Sequence, residues 1–251
     1  MVEFPNNLDW INRLSGSAKN QMIFIRHGES DYTGEGLDIT DKGIEQVRET
    51  ARTLKDYLQR FDCLMILSST TPRATGSAKV FMGEIGQLDI TKTLKSIRCV
   101  DIKQTDKFLS YLANHSTPFY GEMWLVDPII ARENNFIESK HSVDKRAIRF
   151  LYHYGQEIDR ISKSQSVKIG VVVFTHFEIG MNYLHGIYPD RKQFPIKEHP
   201  GLENAEAVIV QLDDPAHDQY TIHARGISST VVYNSINKSF SKDNGAQNSK
   251  N

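Results

Sequence analysis

The chain has 251 residues, of which 39% are hydrophobic and 24% charged, so it suits one sizeable globular domain with at most a small appendage. Its 30 basic and 31 acidic residues give a formal net charge of -1, which argues against a general nucleic-acid or polybasic membrane binder. Two cysteines are too few for a disulfide framework, and no stretch has the apolar length of a signal peptide or membrane span, so we expect a cytoplasmic protein.

Residues 1–20 are predicted to form an amphipathic lead-in. Its apolar residues are able to pack on the domain that follows: Phe4, Leu8, Trp10, Ile11 and Leu14. The domain itself is expected to span residues 21–233. The polar stretch 234–251 is predicted to be a disordered tail.

The first predicted strand is the apolar run Gln21–Ile25, which ends at Arg26-His27-Gly28-Glu29. Thr40 then offers an N-cap for a helix. Apolar residues recur after Thr40 at steps of three and four, which is typical of an amphipathic helix: Ile44, Val47, Ala51, Leu54 and Leu58.

The second predicted strand is a buried one over Cys63–Leu67, so Cys63 is expected to be a small core residue. Ser68-Ser69-Thr70-Thr71-Pro72-Arg73 follows it. Thr71 as N-cap and Pro72 at the first helical position predict that the next helix begins here.

The second half of the chain continues the alternation of helices and strands. A long helix is predicted from one apolar stripe: Val143, Ala147, Leu151, Tyr154, Ile158 and Ile161. Val167–Phe174 is the most strand-like run and ends at Thr175-His176. Two more strands, near 207–212 and 220–223, are expected to complete the sheet.

This alternation predicts an α/β fold with a three-layer α/β/α architecture, a mostly parallel central sheet and helices on both faces. Ligands of such sheets bind beyond the carboxyl ends of the strands. The three most apolar strands end in Arg26-His27, in the loop with Arg73, and in His176. Two arginines and two histidines are therefore expected to converge at one rim, where they would form an anion site.

These residue types suit phosphoryl transfer, in which catalysis is mostly positioning and charge stabilisation. Guanidinium groups match phosphate oxygens bidentately, and a neutral imidazole is a competent nucleophile because its unperturbed pKa is about 6.5. A carboxylic acid is still needed to protonate the leaving oxygen. The other histidines show no metal-ligand spacing, and the chemistry needs neither a metal nor another cofactor.

The segment Arg26-His27-Gly28-Glu29-Ser30 after a buried strand resembles the signature of the histidine phosphatase superfamily, the phosphoglycerate mutase-like proteins. Further segments resemble that family's motifs in the same order: Ile39-Thr40-Asp41-Lys42-Gly43-Ile44-Glu45-Gln46, Ser68-Ser69-Thr70-Thr71-Pro72-Arg73-Ala74, Val172-Val173-Phe174-Thr175-His176 and Leu202-Glu203-Asn204-Ala205. The resemblance covers most of the chain, from about residue 21 to about residue 212.

The resemblance implies that His27 is the nucleophile that becomes phosphorylated, and that Arg26, Arg73 and His176 bind the phosphoryl oxygens. It also implies a general acid after the helix that begins near Arg73. The nearest match to the family's Leu-x-Glu element is Ile130-Ala131-Arg132-Glu133, so Glu133 is the candidate. Three rival acids stay open: Asp127, Glu122 and Glu178, the last because another branch of the superfamily uses an acid directly after its second histidine.

The sequence departs from the family pattern at several places. Thr33 stands where the family has an asparagine, and Phe177 where a glycine follows the second histidine. The distance from Arg73 to Glu133 is far longer than in compact members, so residues 84–127 are predicted to be an inserted, cap-like segment.

The expected function is therefore that of a metal-independent phosphomonoesterase acting through phosphohistidine. Its expected partner is a phosphorylated small molecule or protein, and neither nucleic acid nor a membrane. Two alternatives stay open. One is a phosphoglycerate mutase-like enzyme that returns the phosphoryl group to another hydroxyl of the substrate, and the other is a catalytically silent relative that binds phosphorylated ligands or a protein partner.

Overall fold

The structure is a computed structural model that describes residues 8–12, 14, 19–31, 38–87, 91–99, 138, 140–187, 202–234 and 239–242. The strands in these ranges are β1 (Gln21–Arg26), β2 (Cys63–Ser69), β3 (Lys92–Leu94), β4 (Ile169–Thr175), β5 (Ala207–Asp214), β6 (Gln219–Ala224), β7 (Ile227–Asn234) and β8 (Ser239–Lys242). The α-helices are α1 (Asp9–Asn12), α2 (Asp41–Leu58), α3 (Pro72–Ile85), α4 (Lys140–Gln165) and α5 (Phe177–Ile187), with short 3₁₀ turns at Lys95–Ile97 and Pro215–His217.

The strands form one 8-stranded sheet in the order β3-β2-β4-β1-β5-β6-β7-β8. Neighbouring strands in the half β3-β2-β4-β1 are parallel, as predicted. The pairs from β1–β5 to β7–β8 are antiparallel, so the prediction of a mostly parallel sheet holds for only part of it. From β5 onward the reason is the short connections: parallel neighbours need a crossover of about a dozen residues, whereas Arg225 and Gly226, both with positive φ, join β6 to β7 in a tight hairpin turn.

Two hydrophobic clusters lie on opposite faces of the sheet and confirm the three-layer architecture. Along β1, Met22 and Phe24 pack into the cluster covered by α4 and α5, whereas Ile23 and Ile25 pack into the one covered by α2 and α3. This alternation follows from the two-residue period of a strand. No helix within the described ranges is long and apolar enough to cross a membrane.

The described residues of the lead-in pack on the domain. Leu8, Trp10 and Ile11 are buried against the α2–α3 layer, and Leu14 packs beside them partly buried. Phe4 lies outside the described residues. Burial of these three apolar side chains stabilises the packing of the short segment on the domain.

The prediction that Cys63 is a core residue is wrong, because its side chain is exposed. Burial along β2 becomes complete only from Ile66 onward. The neighbouring strand β3 pairs only with the last part of β2, Leu67 to Ser69. The first half of β2 therefore lies at the sheet edge in the described structure, with less cover over its side chains.

Two predicted segment boundaries also need correction. The start of the predicted cap-like insertion 84–127 belongs to the domain, since residues 84 and 85 complete α3 and Lys92–Leu94 is an edge strand parallel to β2. Residues 100–127 lie outside the described ranges. In the predicted disordered tail, Ser239–Lys242 forms β8 and pairs with β7, because an edge strand offers backbone groups that a polar segment can also satisfy.

Candidate active site

The two histidines from the sequence motifs lie side by side at the carboxyl ends of adjacent parallel strands. His27 follows β1 and His176 follows β4, and the His27 backbone N–H donates to the Thr175 carbonyl at 3.0 Å. Their ring centroids are 5.2 Å apart. Arg73, in the first turn of α3, reaches the same rim and donates from Nε to His27 Nε2 at 3.1 Å. The predicted convergence of these side chains is confirmed.

His27 is held in one tautomer by its two partners. Its Nδ1 lies 2.7 Å from the Gly28 carbonyl oxygen, which can only accept, and its Nε2 faces the Arg73 guanidinium, which can only donate. The ring proton is therefore assigned to Nδ1, and Nε2 keeps its lone pair. Burial, followed by the charges of Arg26 and Arg73, lowers the pKa of His27 to about 3, although its bond to Gly28 opposes this shift. The imidazole is thus neutral near pH 7.

Two glycines let the start of α2 approach the turn after His27. A Cβ on Gly28 would lie 2.4 Å from the Gly43 carbonyl oxygen, and one on Gly43 would lie 2.2 Å from the Glu29 carbonyl oxygen. The Thr40 side chain caps the helix by accepting from the Gly43 N–H at 3.1 Å. The Gly28 N–H donates to Ser77 Oγ at 3.0 Å, which fixes the turn to α3.

His176 is only 1% exposed, and its Nε2 contacts two hydroxyls of the β2–α3 loop. Ser69 Oγ lies at 2.8 Å and Thr71 Oγ1 at 3.3 Å. Its Nδ1 is buried and has no hydrogen-bond partner among the described residues. Burial first, then His27 and the neighbouring arginine charges, lower the pKa of His176 well below its ordinary value, so this imidazole is also neutral.

Arg26 lies against the turn that carries the last sequence motif. Its Nη1 donates to the Leu202 carbonyl at 2.6 Å, and its guanidinium carbon lies 5.3 Å from the centroid of the Phe177 ring. The Ala205 N–H donates to the Arg26 carbonyl at 3.0 Å, with Ala205 in the left-handed region at φ 60. A bidentate pair between Arg225 and Glu206 holds the end of this turn.

Of the carboxyl groups considered as the acid, only Glu178 lies within the described residues. Glu133, Asp127 and Glu122 lie outside them, as does Thr33. Glu178 is in the first turn of α5, two residues after His176, and is 4% exposed. Burial raises its pKa, although its own backbone N–H and the charges of Arg26, Arg73 and Arg146 oppose the shift. This environment favours the protonated carboxyl more than water does.

The sequence reasoning missed several residues at this rim. Ser69 and Thr71 contact His176 and stood within the Ser-Ser motif, so their position after β2 was a usable signal. Cys99 and Arg146 carried no motif. The Cys99 thiol lies within hydrogen-bonding reach of Arg73, and Arg146 holds the backbone beside it.

Residues 22–216 match the family model of the histidine phosphatase superfamily (branch 1), which covers most of the chain. The chain belongs to this superfamily. Its class is therefore that of the phosphoglycerate mutase-like and phosphatase-like proteins, as the sequence resemblance indicated.

Over an alignment of 77 positions, which covers 28% of this chain and 36% of the relative, the chain is 27% identical to a 2,3-bisphosphoglycerate-dependent phosphoglycerate mutase of a Bradyrhizobium species. The chain thus matches about a third of the length of this curated relative. The fold resembles mycobacterial glucosyl-3-phosphoglycerate phosphatase, with TM-score 0.54, 17% identity, and coverage of 76% of this chain and 89% of that one. It also resembles a phosphoglycerate mutase from Bacillus anthracis, with TM-score 0.52, 17% identity, and coverage of 84% and 92%.

Proposed function

We propose that this protein is a phosphomonoesterase that takes a phosphoryl group onto His27 Nε2 and transfers it to water. The observation that supports this most is the state of His27. It is a buried, neutral imidazole whose Nδ1–H bonds to Gly28 and whose Nε2 lone pair lies beside the Arg73 guanidinium. A nucleophile for phosphorus and a cation for the phosphoryl oxygens thus occupy one small site.

In the first step, the Nε2 lone pair forms a bond to phosphorus and the bond from phosphorus to the ester oxygen breaks. Arg26, Arg73 and His176 bind the phosphoryl oxygens as negative charge spreads over them. The bond from Nδ1–H to the Gly28 carbonyl stabilises the positive charge that develops on the His27 ring.

The leaving oxygen takes a proton from a carboxylic acid, and we assign this role to Glu133. The resulting carboxylate then accepts a proton from water as that water attacks phosphorus, which releases inorganic phosphate and restores neutral His27. No metal or other cofactor takes part in the proposed sequence.

The proposed substrate is a phosphorylated small molecule or protein, with neither nucleic acid nor a membrane as partner. The near-neutral charge of the chain supports this, since its 30 basic residues are balanced by 31 acidic ones and leave no net positive charge. The proposed domain begins near residue 21 and includes β8, and Leu8, Trp10 and Ile11 of the lead-in pack on it.

A mutase is the second candidate, because the curated relative and one similar structure are phosphoglycerate mutases. A mutase would use the same His27 and the same oxygen-binding groups. It differs only in excluding water and returning the phosphoryl group to a substrate hydroxyl.

The covalent intermediate is the direct test. Enzyme denatured in alkaline detergent during turnover should retain phosphate in a form that is labile in acid and stable in base, and His27→Ala should lose both this label and turnover. His153→Ala, an exposed histidine on α4, is the matched control and should keep both. Full turnover in His27→Ala would refute the proposed chemistry.

A substrate panel separates the candidate functions. Incubation with an aryl phosphate and with phosphosugars should release inorganic phosphate. Isomerised product without released phosphate would instead identify a mutase. Neither product would favour a catalytically silent relative that binds phosphorylated ligands.

A further inference from the structure

Arg146 of α4 is a partly buried arginine outside the residues assigned to the reaction. Its Nε and Nη2 donate to Glu138 at 2.9 Å and 2.7 Å in a bidentate pair. The side chains are only 18% and 9% exposed, respectively. A buried ion pair of this kind has a high desolvation cost, so net stabilisation is a weak explanation for it.

The remaining donor capacity of Arg146 goes to the backbone of one irregular segment, Ser96–Cys99. Its Nη1 donates to the carbonyls of Ser96 at 2.9 Å and Arg98 at 3.2 Å, and its Nη2 to that of Cys99 at 3.3 Å. The intervening Ile97 carbonyl accepts from Thr175 Oγ1 at 2.7 Å. Hydrogen bonds from Arg146 and from Thr175 therefore hold this segment in place.

This segment connects Arg146 to the nucleophile. The Cys99 thiol lies within hydrogen-bonding reach of the Arg73 guanidinium, and Arg73 Nε donates to His27 Nε2 at 3.1 Å. Thr175, whose Oγ1 donates to the Ile97 carbonyl, also accepts the His27 backbone N–H at its own carbonyl oxygen, at 3.0 Å. The position of Cys99 thus bears directly on where the Arg73 fork is held.

We propose that Arg146, together with Glu138, is a positioning residue that holds Cys99 against Arg73 and so keeps the Arg73 fork aligned on His27 and the phosphoryl oxygens. The proposal rests on the phosphate-binding role of Arg73 in the proposed function. Lysine cannot replace Arg146, because one ammonium group cannot satisfy both a bidentate carboxylate and three carbonyls in fixed directions.

Thiol labelling tests the first half of the proposal without requiring turnover. In a Cys63→Ser background, which removes the exposed cysteine, iodoacetamide reports on Cys99 alone. Arg146→Lys should release the Ser96–Cys99 segment and so expose the partly buried Cys99 thiol. The Cys99 alkylation rate should therefore rise by about tenfold, a size typical of directly coupled neighbours. Arg160→Ala is the matched control, since it breaks an exposed arginine–glutamate pair on the same helix, and it should leave the rate unchanged.

Binding of inorganic phosphate, measured by calorimetry, tests the second half. Arg146→Lys should weaken binding by about tenfold, and it should have almost no further effect in an Arg73→Ala background, since coupled residues are non-additive. Glu138→Gln should reproduce the effect of Arg146→Lys. Cooperative thermal unfolding of each variant shows that the fold is retained.

The outcomes separate this proposal from the proposed function. Unchanged Cys99 labelling in Arg146→Lys, or additive losses of phosphate affinity with Arg73→Ala, would overturn the positioning role even in an active phosphatase. No binding of phosphate to the wild type would overturn it as well. Loss of the phosphohistidine label alone would refute only the proposed chemistry.

Discussion

At the scale of single residues, the protonation state of His27 governs the chemistry that we propose for this site. The ring is 3% exposed and lies between the charges of Arg26 and Arg73, so a proton on Nε2 is doubly disfavoured. The Gly28 carbonyl fixes the other proton on Nδ1. The protein thus keeps a nucleophilic nitrogen unprotonated at a pH where an exposed histidine is partly charged.

The same burial predicts a pH dependence of stability. The folded pKa of about 3 lies below the ordinary value of 6.5, so between them the unfolded state binds a proton that the native state does not. Stability due to His27 is therefore present above pH 6.5 and is lost as the pH falls toward 3. Compared with His27→Asn, the wild type should lose free energy of unfolding by up to about 1.4 kcal/mol more per pH unit.

Urea unfolding at several pH values between about 7 and 5 measures this difference in slope. The exposed His153→Asn variant should follow the wild type. Parallel curves for the wild type and His27→Asn would show that the ring is as easily protonated in the folded protein as in the unfolded one.

Phe177 stands where the family pattern has glycine, and its ring packs under the Arg26 guanidinium at 5.3 Å. A cation–π contact of this kind contributes about 0.5–2 kcal/mol. Phe177→Leu keeps the apolar bulk and removes the aromatic face, so we expect KM for a phosphate ester to rise by about two- to fivefold with a smaller change in kcat. Phe177→Tyr should stay near the wild type, and an equal rise in both variants would exclude the aromatic contact as the cause.

At the scale of elements, the ends of β1 and β4 could be predicted, because the apolar run of each buried strand stops where the strand ends. The apolar runs of β1 and β4 stop at Arg26 and Thr175, and parallel neighbours end at the same rim. Cys99 and Arg146 could not be found in this way. Their contact depends on how α4 packs beside the Ser96–Cys99 segment, and no periodicity or motif encodes a hydrogen bond from a side chain to a distant irregular backbone.

The start of α2 gives a prediction at this scale, because Gly43 and Gly83 are both helical glycines in different surroundings. Alanine favours a helix over glycine by about 1 kcal/mol. At Gly83 a new Cβ meets nothing within 4 Å, so Gly83→Ala should stabilise the protein. At Gly43 it would lie 2.2 Å from the Glu29 carbonyl oxygen, so the helix or the turn after His27 must move.

We therefore expect Gly43→Ala to lower both the unfolding temperature and the turnover of a phosphate ester, in contrast to Gly83→Ala. Thermal unfolding and initial rates measure the two effects. A stabilised, fully active Gly43→Ala protein would mean that α2 does not need its close approach to the Glu29 backbone.

At the scale of the whole molecule, the apolar parallel strands β1, β2 and β4 were predictable, whereas the antiparallel pairing and the edge strands β3 and β8 were not. Apolar strands separated by helical periods specify crossovers. In contrast, the β6–β7 hairpin turn is Arg225-Gly226, a weak turn signal, and β8 lies in a polar stretch that resembles a disordered tail. Backbone hydrogen bonds to an exposed sheet edge stabilise β8, and such bonds leave no pattern in the side chains of the sequence.

The proposed site is completed by a carboxylic acid from another part of the chain. Glu133 is the proposed donor, and Glu178 is the rival that the fold places beside His176 with a raised pKa. General acid catalysis contributes roughly 10²–10⁴-fold, and this help matters most when the leaving group is strongly basic. The leaving group of an alkyl phosphate is such an alkoxide, whereas the nitrophenolate of a nitrophenyl phosphate scarcely needs the proton.

Glu133→Gln should therefore reduce hydrolysis of an alkyl phosphate by a factor in that range while largely sparing the nitrophenyl ester, as measured by kcat/KM for both. Glu178→Gln, the matched control, should change the two esters alike, because its carboxyl does not donate to the leaving group. Equal loss on both esters in Glu133→Gln would indicate a structural role. A selective loss on the alkyl ester in Glu178→Gln alone would transfer the role to Glu178, and no selective loss in either would direct the same comparison to Asp127 and Glu122.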